Sequence, residues 1–215
     1  IYRSEVADRS QPIADLYSEV IKSGFLFQET VAQHDALNKL NPFSLNTIRF
    51  DTFIDKEGKV ELISGYIRMS INRQHVDNIS SGGCMVGIDM KTGRLKKEGY
   101  STFSYCGVRI LRSHPITGTV FENFEIPLFD RAKSLTLEAA GLVPGLRIVG
   151  WDVAIGESGP GLIEGNSDYG MTGNDLSEGG YRTNQVFRKV LAEVKDLNTS
   201  EYYKRLIGMA LKVKG

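Results

Sequence analysis

Three times along this chain of 215 residues, two β-rich runs are separated by a few turn-forming residues, and that pattern dictates hairpins. Asn46–Ile54 and Lys59–Ser70 flank Asp55-Lys56-Glu57-Gly58, and Cys84–Met90 and Arg94–Tyr100 flank Lys91-Thr92-Gly93. Ile148–Ile155 and Leu162–Asn166 flank Gly156–Gly161. Hairpins build antiparallel ladders, because parallel neighbours need a crossover of a dozen or more residues. Helical periodicities lie around them. Pro12 followed by Ile13, Leu16, Tyr17, Val20 and Ile21 predicts a short amphipathic helix with Gly24 just past its end. A second is predicted from Pro127 to Ala140, stopped by Gly141. Val186, Val190, Leu191 and Val194 mark a third within Tyr181–Val194, and Ser200–Leu211 reads as a fourth. Phe25–Val31 reads as a strand, Ser101–Glu125 as loops and short strands, and the Gly/Ser/Asp/Asn-rich stretch 167–180 as a loop. The expected class is α+β: an antiparallel sheet with hairpins, flanked by helices.

Composition works by exclusion. The 26 lysines and arginines balance 26 acids, so no basic excess marks a nucleic-acid or membrane-surface binder. The longest apolar runs fall short of the roughly 20 residues that span a bilayer, so no membrane span is expected. Cys84 and Cys106 make neither a disulfide framework nor a metal cluster. Their apolar and aromatic neighbours predict buried free thiols and a reduced, cytoplasmic compartment. His34, His75 and His114 have no zinc-type spacing, and His114, ahead of Pro115, is expected to serve a turn. No P-loop signature exists, and Ser158 lacks the full nucleophile elbow.

The third hairpin carries the chemistry. Side chains alternate along a strand, so Gly150, Asp152 and Ala154 share one face, and Leu162, Glu164 and Asn166 lie together on the returning strand. A three-residue loop Glu157-Ser158-Gly159 pairs Ala154 with Leu162 and Asp152 with Glu164. Two carboxylates then face each other, which destabilises a sheet unless something neutralises them. Neither strand contains a lysine or arginine. A hard divalent cation is the expected counter-charge, because Mg²⁺ takes carboxylate and amide oxygens together with substrate phosphates. One alternative is a register shifted by one or acids that both face water; another is a glycosidase-type carboxylate pair, which leaves Asn166 and the surrounding glycines without a role. Arg49 shares a face with Thr47 and Asp51, and Arg68 with Tyr66 and Ser70. Two guanidinium groups on adjacent strands of the first hairpin can converge on an anion.

The run Trp151-Asp152-Val153-Ala154-Ile155, then Gly159-Pro160-Gly161-Leu162-Ile163-Glu164-Gly165-Asn166, resembles the C-terminal metal-binding hairpin of ATP-grasp ligases. Within them the chain is most similar to the sugar-transfer-associated ATP-grasp family. That likeness includes Asn46-Thr47-Ile48-Arg49, Asp77-Asn78 with Ser81-Gly82-Gly83, and His114-Pro115-Ile116-Thr117-Gly118, and covers about residues 25 to 170. The resemblance implies that Asp152, Glu164 and Asn166 hold Mg²⁺ against the phosphates of ATP. It implies that Gln28-Glu29-Thr30-Val31 is the hinge gripping adenine and ribose, with Gln28, Glu29 and Val31 as cofactor contacts. Arg49 and Arg68 match basic positions near the transferring phosphate and the carboxylate substrate. Asn78 with Gly82 and Gly83 resembles the Asn-x-x-x-Gly-Gly stretch of related glutamate ligases, which carry an arginine where this chain has Val76.

The implied activity is ATP- and Mg²⁺-dependent ligation of a carboxylate to an amine through an acylphosphate, linked to cell-surface sugar or polysaccharide biosynthesis. ATP and small carboxylate and amine substrates are the expected partners. The layout expected is one domain, 1–215: a lead-in helix to residue 24, a grasp core over 25–170 and a helical tail. Such enzymes carry a lysine strand, a glycine-rich loop and usually another domain ahead of the hinge. The chain therefore resembles their C-terminal part, with a missing N-terminal domain or a homo-oligomer as the complement. The rivals are a non-catalytic ATP-grasp half that binds nucleotide or a partner, and a carbohydrate hydrolase using Asp152 and Glu164.

Overall fold

The computed structural model describes residues 13–24, 30–73, 82–104, 107–143 and 145–196. Contacts divide the chain into two compact units, Ile1–Val31 and Ala32–Gly215. The first contains helix α1, Ile13–Lys22. Its end follows the expected glycine logic: Gly24 sits at φ +68°, and its N–H donates to the Ile21 carbonyl at 3.3 Å. Most of the strand expected at Phe25–Val31 and the helix expected at Ser200–Leu211 lie outside the described residues; Thr30 and Val31 are not in a strand.

The second unit runs α2 (Asp35–Leu40), β1 (Thr47–Ile54), β2 (Val60–Ser70), β3 (Gly83–Asp89), β4 (Arg94–Ser104) and β5 (Gly107–Leu111). It continues with α3 (Phe129–Leu142), β6 (Ile148–Gly156), β7 (Gly159–Asn166), α4 (Thr172–Glu178), a 3₁₀ turn (Tyr181–Thr183) and α5 (Gln185–Asp196). The seven strands form one sheet in the order β5-β4-β3-β2-β1-β6-β7, every neighbouring pair antiparallel. The α+β class expected from the hairpins is what forms.

The first two turns close by the same device. Asp55 Oδ1 accepts from the Glu57 and Lys59 amides, and Asp89 Oδ1 from those of Lys91 and Thr92. An aspartate that bonds the backbone two residues on mimics a turn, and Gly58 and Gly93 supply the positive φ that follows.

One face of the sheet is the core. Ile48, Phe50, Ile67, Met69, Cys84, Val86, Ile88, Val149, Trp151, Val153 and Ile155 are buried with Leu37 and Leu40 of α2 and Phe129, Ala132 and Ala140 of α3. Fully burying one such side chain stabilises by about 1.5–3 kcal/mol, so this layer fixes the sheet. Burial pushes the Cys84 thiol up to about 12, leaving it an inert core residue as expected; Cys106 lies outside the described residues. His114 serves its turn: the ring is buried, Nε2–H donates to the Ser70 carbonyl at 2.8 Å, and Nδ1 accepts from the Thr117 amide at 3.2 Å.

Three boundaries differ from the sequence reading. Helix α3 begins at Phe129 rather than Pro127, because Leu128 adopts a left-handed backbone (φ 53°) that helix cannot include, and it runs through Gly141, the expected stop, to Leu142. Helix α2 was not expected; it is a short turn capped by His34, whose Nδ1 accepts the Ala36 amide. The stretch 167–180 is not all loop: it holds α4, whose buried residues are Gly173, Asn174 and Ser177 rather than apolar ones. No described helix is long and apolar enough to cross a membrane.

Candidate functional site

The opposite face of the sheet is polar, and strand register lines its residues up in rows. One row runs Tyr66 (β2), Arg49 (β1), Asp152 (β6), Glu164 (β7). The next runs Ser64, Asp51, Gly150, Asn166. The Asp152–Glu164 pairing matches the sequence reading, but by another route. The loop is two residues, Glu157-Ser158, with Gly156 opposite Gly159 and Ala154 opposite Gly161. A bulge between Asp152 and Val153 then takes up one residue of β7 and restores Asp152 to Glu164. It also corrects the expected grouping of Leu162 with the acids. Leu162 pairs with core-facing Val153 and lies on the other face.

Asp152 is almost fully buried and already has cationic partners. Arg49 donates through Nε to Oδ1 and through Nη2 to Oδ2 at 3.0 Å. Arg68 donates through Nη2 to the same Oδ2 at 2.8 Å and through Nε and Nη2 to Thr47 Oγ1. The counter-charge expected from a divalent ion alone is therefore supplied, for this acid, by two arginines of β1 and β2. Burial pushes the Asp152 carboxyl up, but the Arg49 hydrogen bond and the charges of both arginines outweigh it and hold it below the ordinary aspartate value. Burial disfavours the Arg49 charge too, and Asp152 more than offsets that.

Glu164 differs. It is exposed, it stands opposite Asp152 across β6 and β7, and Asn166 Nδ2 donates to its Oε1 at 3.0 Å. Among the described residues no lysine or arginine pairs with it. Two adjoining carboxylates and an amide oxygen are hard donors of the kind Mg²⁺ takes, and one of those charges has no cation beside it among the described residues. That donor chemistry fits a magnesium ion held by Glu164 and Asn166 beside Asp152. No cluster of three or more His, Cys, Asp or Glu side chains adds to it among the described residues.

Beneath the second row lies a feature the sequence reading left unassigned. Asp51 is fully buried, and its Oδ2 accepts from Tyr181 OH at 2.5 Å, Ser64 Oγ at 3.1 Å and Asn174 Nδ2. Tyr169 lies beside it without a well-aligned bond, and Asp51 Oδ1 makes none. Of the buried residues of α4, Asn174 docks on this carboxyl, whereas Gly173 packs against Tyr66 and Ser177 over Gly87. The signal was present in the alternation of Thr47, Arg49 and Asp51. What was missing was the partner, over a hundred residues away.

Burial raises the Asp51 carboxyl to about 6, against the hydrogen bonds and the Arg49 charge that lower it. A folded value above the unfolded one means that the folded state binds the extra proton. Stability from this group is therefore full below about pH 4 and lost as pH rises through about 6, on the order of 3 kcal/mol. His114, lowered by burial, runs oppositely and costs stability as pH falls below about 6.5. Urea unfolding of the wild type and Asp51→Asn at pH 5.0 and 7.5 separates the two, since both proteins keep His114. The variant's stability change between the two pH values should lack the Asp51 contribution; identical changes would show that Asp51 does not titrate there.

The remaining candidates are dispersed or undescribed. Gly82 has φ +88° at the entry to β3, and Gly83 pairs with Ser70, two residues along β2 from Arg68. Val31 belongs to the first unit. Gln28, Glu29 and Asn78 lie outside the described residues.

An antiparallel sheet whose polar face gathers two acids, an amide and two arginines agrees with the family comparison. The family model for sugar-transfer associated ATP-grasp proteins matches residues 4–189, and the chain belongs to that family. ATP-binding and a ligase-type, sugar-transfer related role come with that membership. No curated protein matches the chain.

Proposed function

We propose that this chain is the phosphate- and metal-facing part of an ATP- and Mg²⁺-dependent carboxylate–amine ligase acting in cell-surface sugar or polysaccharide biosynthesis. One observation carries the reading: Arg49, Asp152 and Glu164 stand side by side on three adjacent strands of the polar face, with Asn166 in the next row. Bound Mg²⁺ would neutralise the phosphate charge and orient the γ-phosphoryl group for attack by a carboxylate. Glu164 and Asn166 would hold it, with Asp152 alongside. Arg68, bridging Thr47 and Asp152 at the end of β2, would meet the phosphate or the substrate carboxylate. The substrate carboxylate would take the phosphoryl group, and an amine would then displace phosphate from the acylphosphate. Gln28, Glu29 and Val31 would contact adenine and ribose, and Asn78, Gly82 and Gly83 the substrate side.

A hydrolase built on Asp152 and Glu164 fits less well. A glycosidase's ionised carboxylate must reach the sugar or a water, whereas Asp152 is buried with both oxygens taken by arginines. The non-catalytic alternative is favoured by a specific observation: both arginines lie largely buried against Asp152, with side chains 9% and 12% exposed.

Calorimetric titration with ATP, with and without Mg²⁺, tests the reading, coupled to hydroxylamine trapping of acylphosphate from uronic and amino acids. Mg²⁺-dependent binding with hydroxamate formation is expected. Binding without any ADP release would identify the module instead, and no binding would refute both.

A further inference from the structure

Between Asp51 and Asn166, the second row holds Gly150, where no side chain rises from the sheet. Tyr169 occupies that slot: a Cβ on Gly150 would meet its ring carbons at 3.1–3.2 Å. From there the ring faces Arg49, whose Cζ lies 5.6 Å from the ring centroid. The Tyr169 hydroxyl is buried beside Asp51, so the ring is held at its far end inside the protein and not in solvent. A guanidinium against an aromatic face is attracted by the ring quadrupole, the more so when desolvated. Arg49 in turn spends two of its three nitrogens on the two oxygens of Asp152, and a bidentate fork fixes the plane of the carboxylate it grips. The contacts thus run from Tyr169 to Arg49 to Asp152, beside Glu164.

We propose that Tyr169 is a positioning residue for the metal site: its ring, seated on Gly150, fixes the Arg49 guanidinium and through it the Asp152 carboxylate. The inference rests on the metal-binding reading given above. Partners behind a metal's direct ligands orient those ligands, and losing one typically weakens metal binding 10–100-fold. Phenylalanine keeps the ring and its face; alanine removes both. Gly150→Ala leaves Tyr169 in the chain but drives a methyl group into the ring.

Electron paramagnetic resonance of Mn²⁺, titrated into the full chain as a stand-in for Mg²⁺, reads the site without turnover. Saturable binding is expected in the wild type and its loss in Glu164→Gln. Tyr169→Phe should bind within about twofold of the wild type, whereas Tyr169→Ala and Gly150→Ala should bind at least about tenfold more weakly. Ile88→Ala, which opens the apolar core on the opposite face of the sheet, supplies a variant destabilised elsewhere. It should keep its Mn²⁺ affinity even where its thermal midpoint falls as far as that of Tyr169→Ala. Wild-type affinity in both Tyr169→Ala and Gly150→Ala, with Glu164→Gln dead, would overturn the positioning role while leaving the metal site standing. Affinity that tracks the thermal midpoint across all variants, Ile88→Ala included, would reduce Tyr169 to a packing residue. No saturable binding in the wild type, or full binding in Glu164→Gln, would overturn the metal reading and this role with it.

Discussion

Asp152→Asn is expected to be the most destabilising single substitution on the polar face, costing about 3–5 kcal/mol in urea unfolding at pH 7. The reason is not the lost attraction alone. Arg49 forks onto both oxygens of this buried carboxylate and Arg68 onto one, and an amide removes the charge that both desolvated guanidinium groups grip. Two further results are diagnostic. Asp152 is held below its ordinary value in the folded state, so its contribution is present above about pH 4 and lost as pH falls through the folded value. The gap between wild type and variant should therefore narrow in acid. Arg49→Met should also be destabilising, and the double variant should cost much less than the sum of the two, because each single change strands the other partner. Additive losses would show that the pair is not coupled.

Glu164→Gln, two strands from Arg49, should behave in the opposite way. Its carboxylate is exposed and adjoins Asp152, and its hydrogen bond from Asn166 can be kept by the glutamine carbonyl. Removing one of two adjacent like charges leaves apo stability unchanged or raises it. Mg²⁺-dependent ATP binding should fall beyond the 10–100-fold typical of an outer-shell loss, since a hard cation loses a charged oxygen. Thermal unfolding with and without Mg²⁺ and ATP reads both effects at once. A drop in apo stability with nucleotide stabilisation intact would make Glu164 a structural residue.

The contrast between these neighbouring acids marks where the sequence was legible. Alternation and turn chemistry are local, so the three hairpins and the α+β class could be read directly. Strand order is not local. That β1 lies between β2 and β6 follows from the packing of the core face, and only that order brings Arg49 onto Asp152, 103 residues away. With the order unknown, Arg49 and Arg68 can be expected to converge on an anion, but not to be assigned to Asp152 in place of a divalent ion. Helix α4 was missed for a related reason: Gly173, Asn174 and Ser177 are poor helix formers with no apolar stripe, and their partners, Tyr66, Asp51 and Gly87, lie on β1–β3. The loop length was misjudged by one residue, and the bulge absorbed the difference.

That bulge separates two duties within one hairpin. Beyond it, toward Glu157-Ser158, Leu162 turns to the core side and Pro160 borders a groove of about 420 Å³ with Asp130, Arg131, Ser134, Leu135 and Glu138 of α3. Before it, Glu164 and Asn166 stay in register with Asp152 and Gly150. A slip of the distal half along β6 is taken up at Ile163 and need not reach the acids. Side-chain substitutions at the tip therefore act on that groove and not on the ligands that the same two strands present.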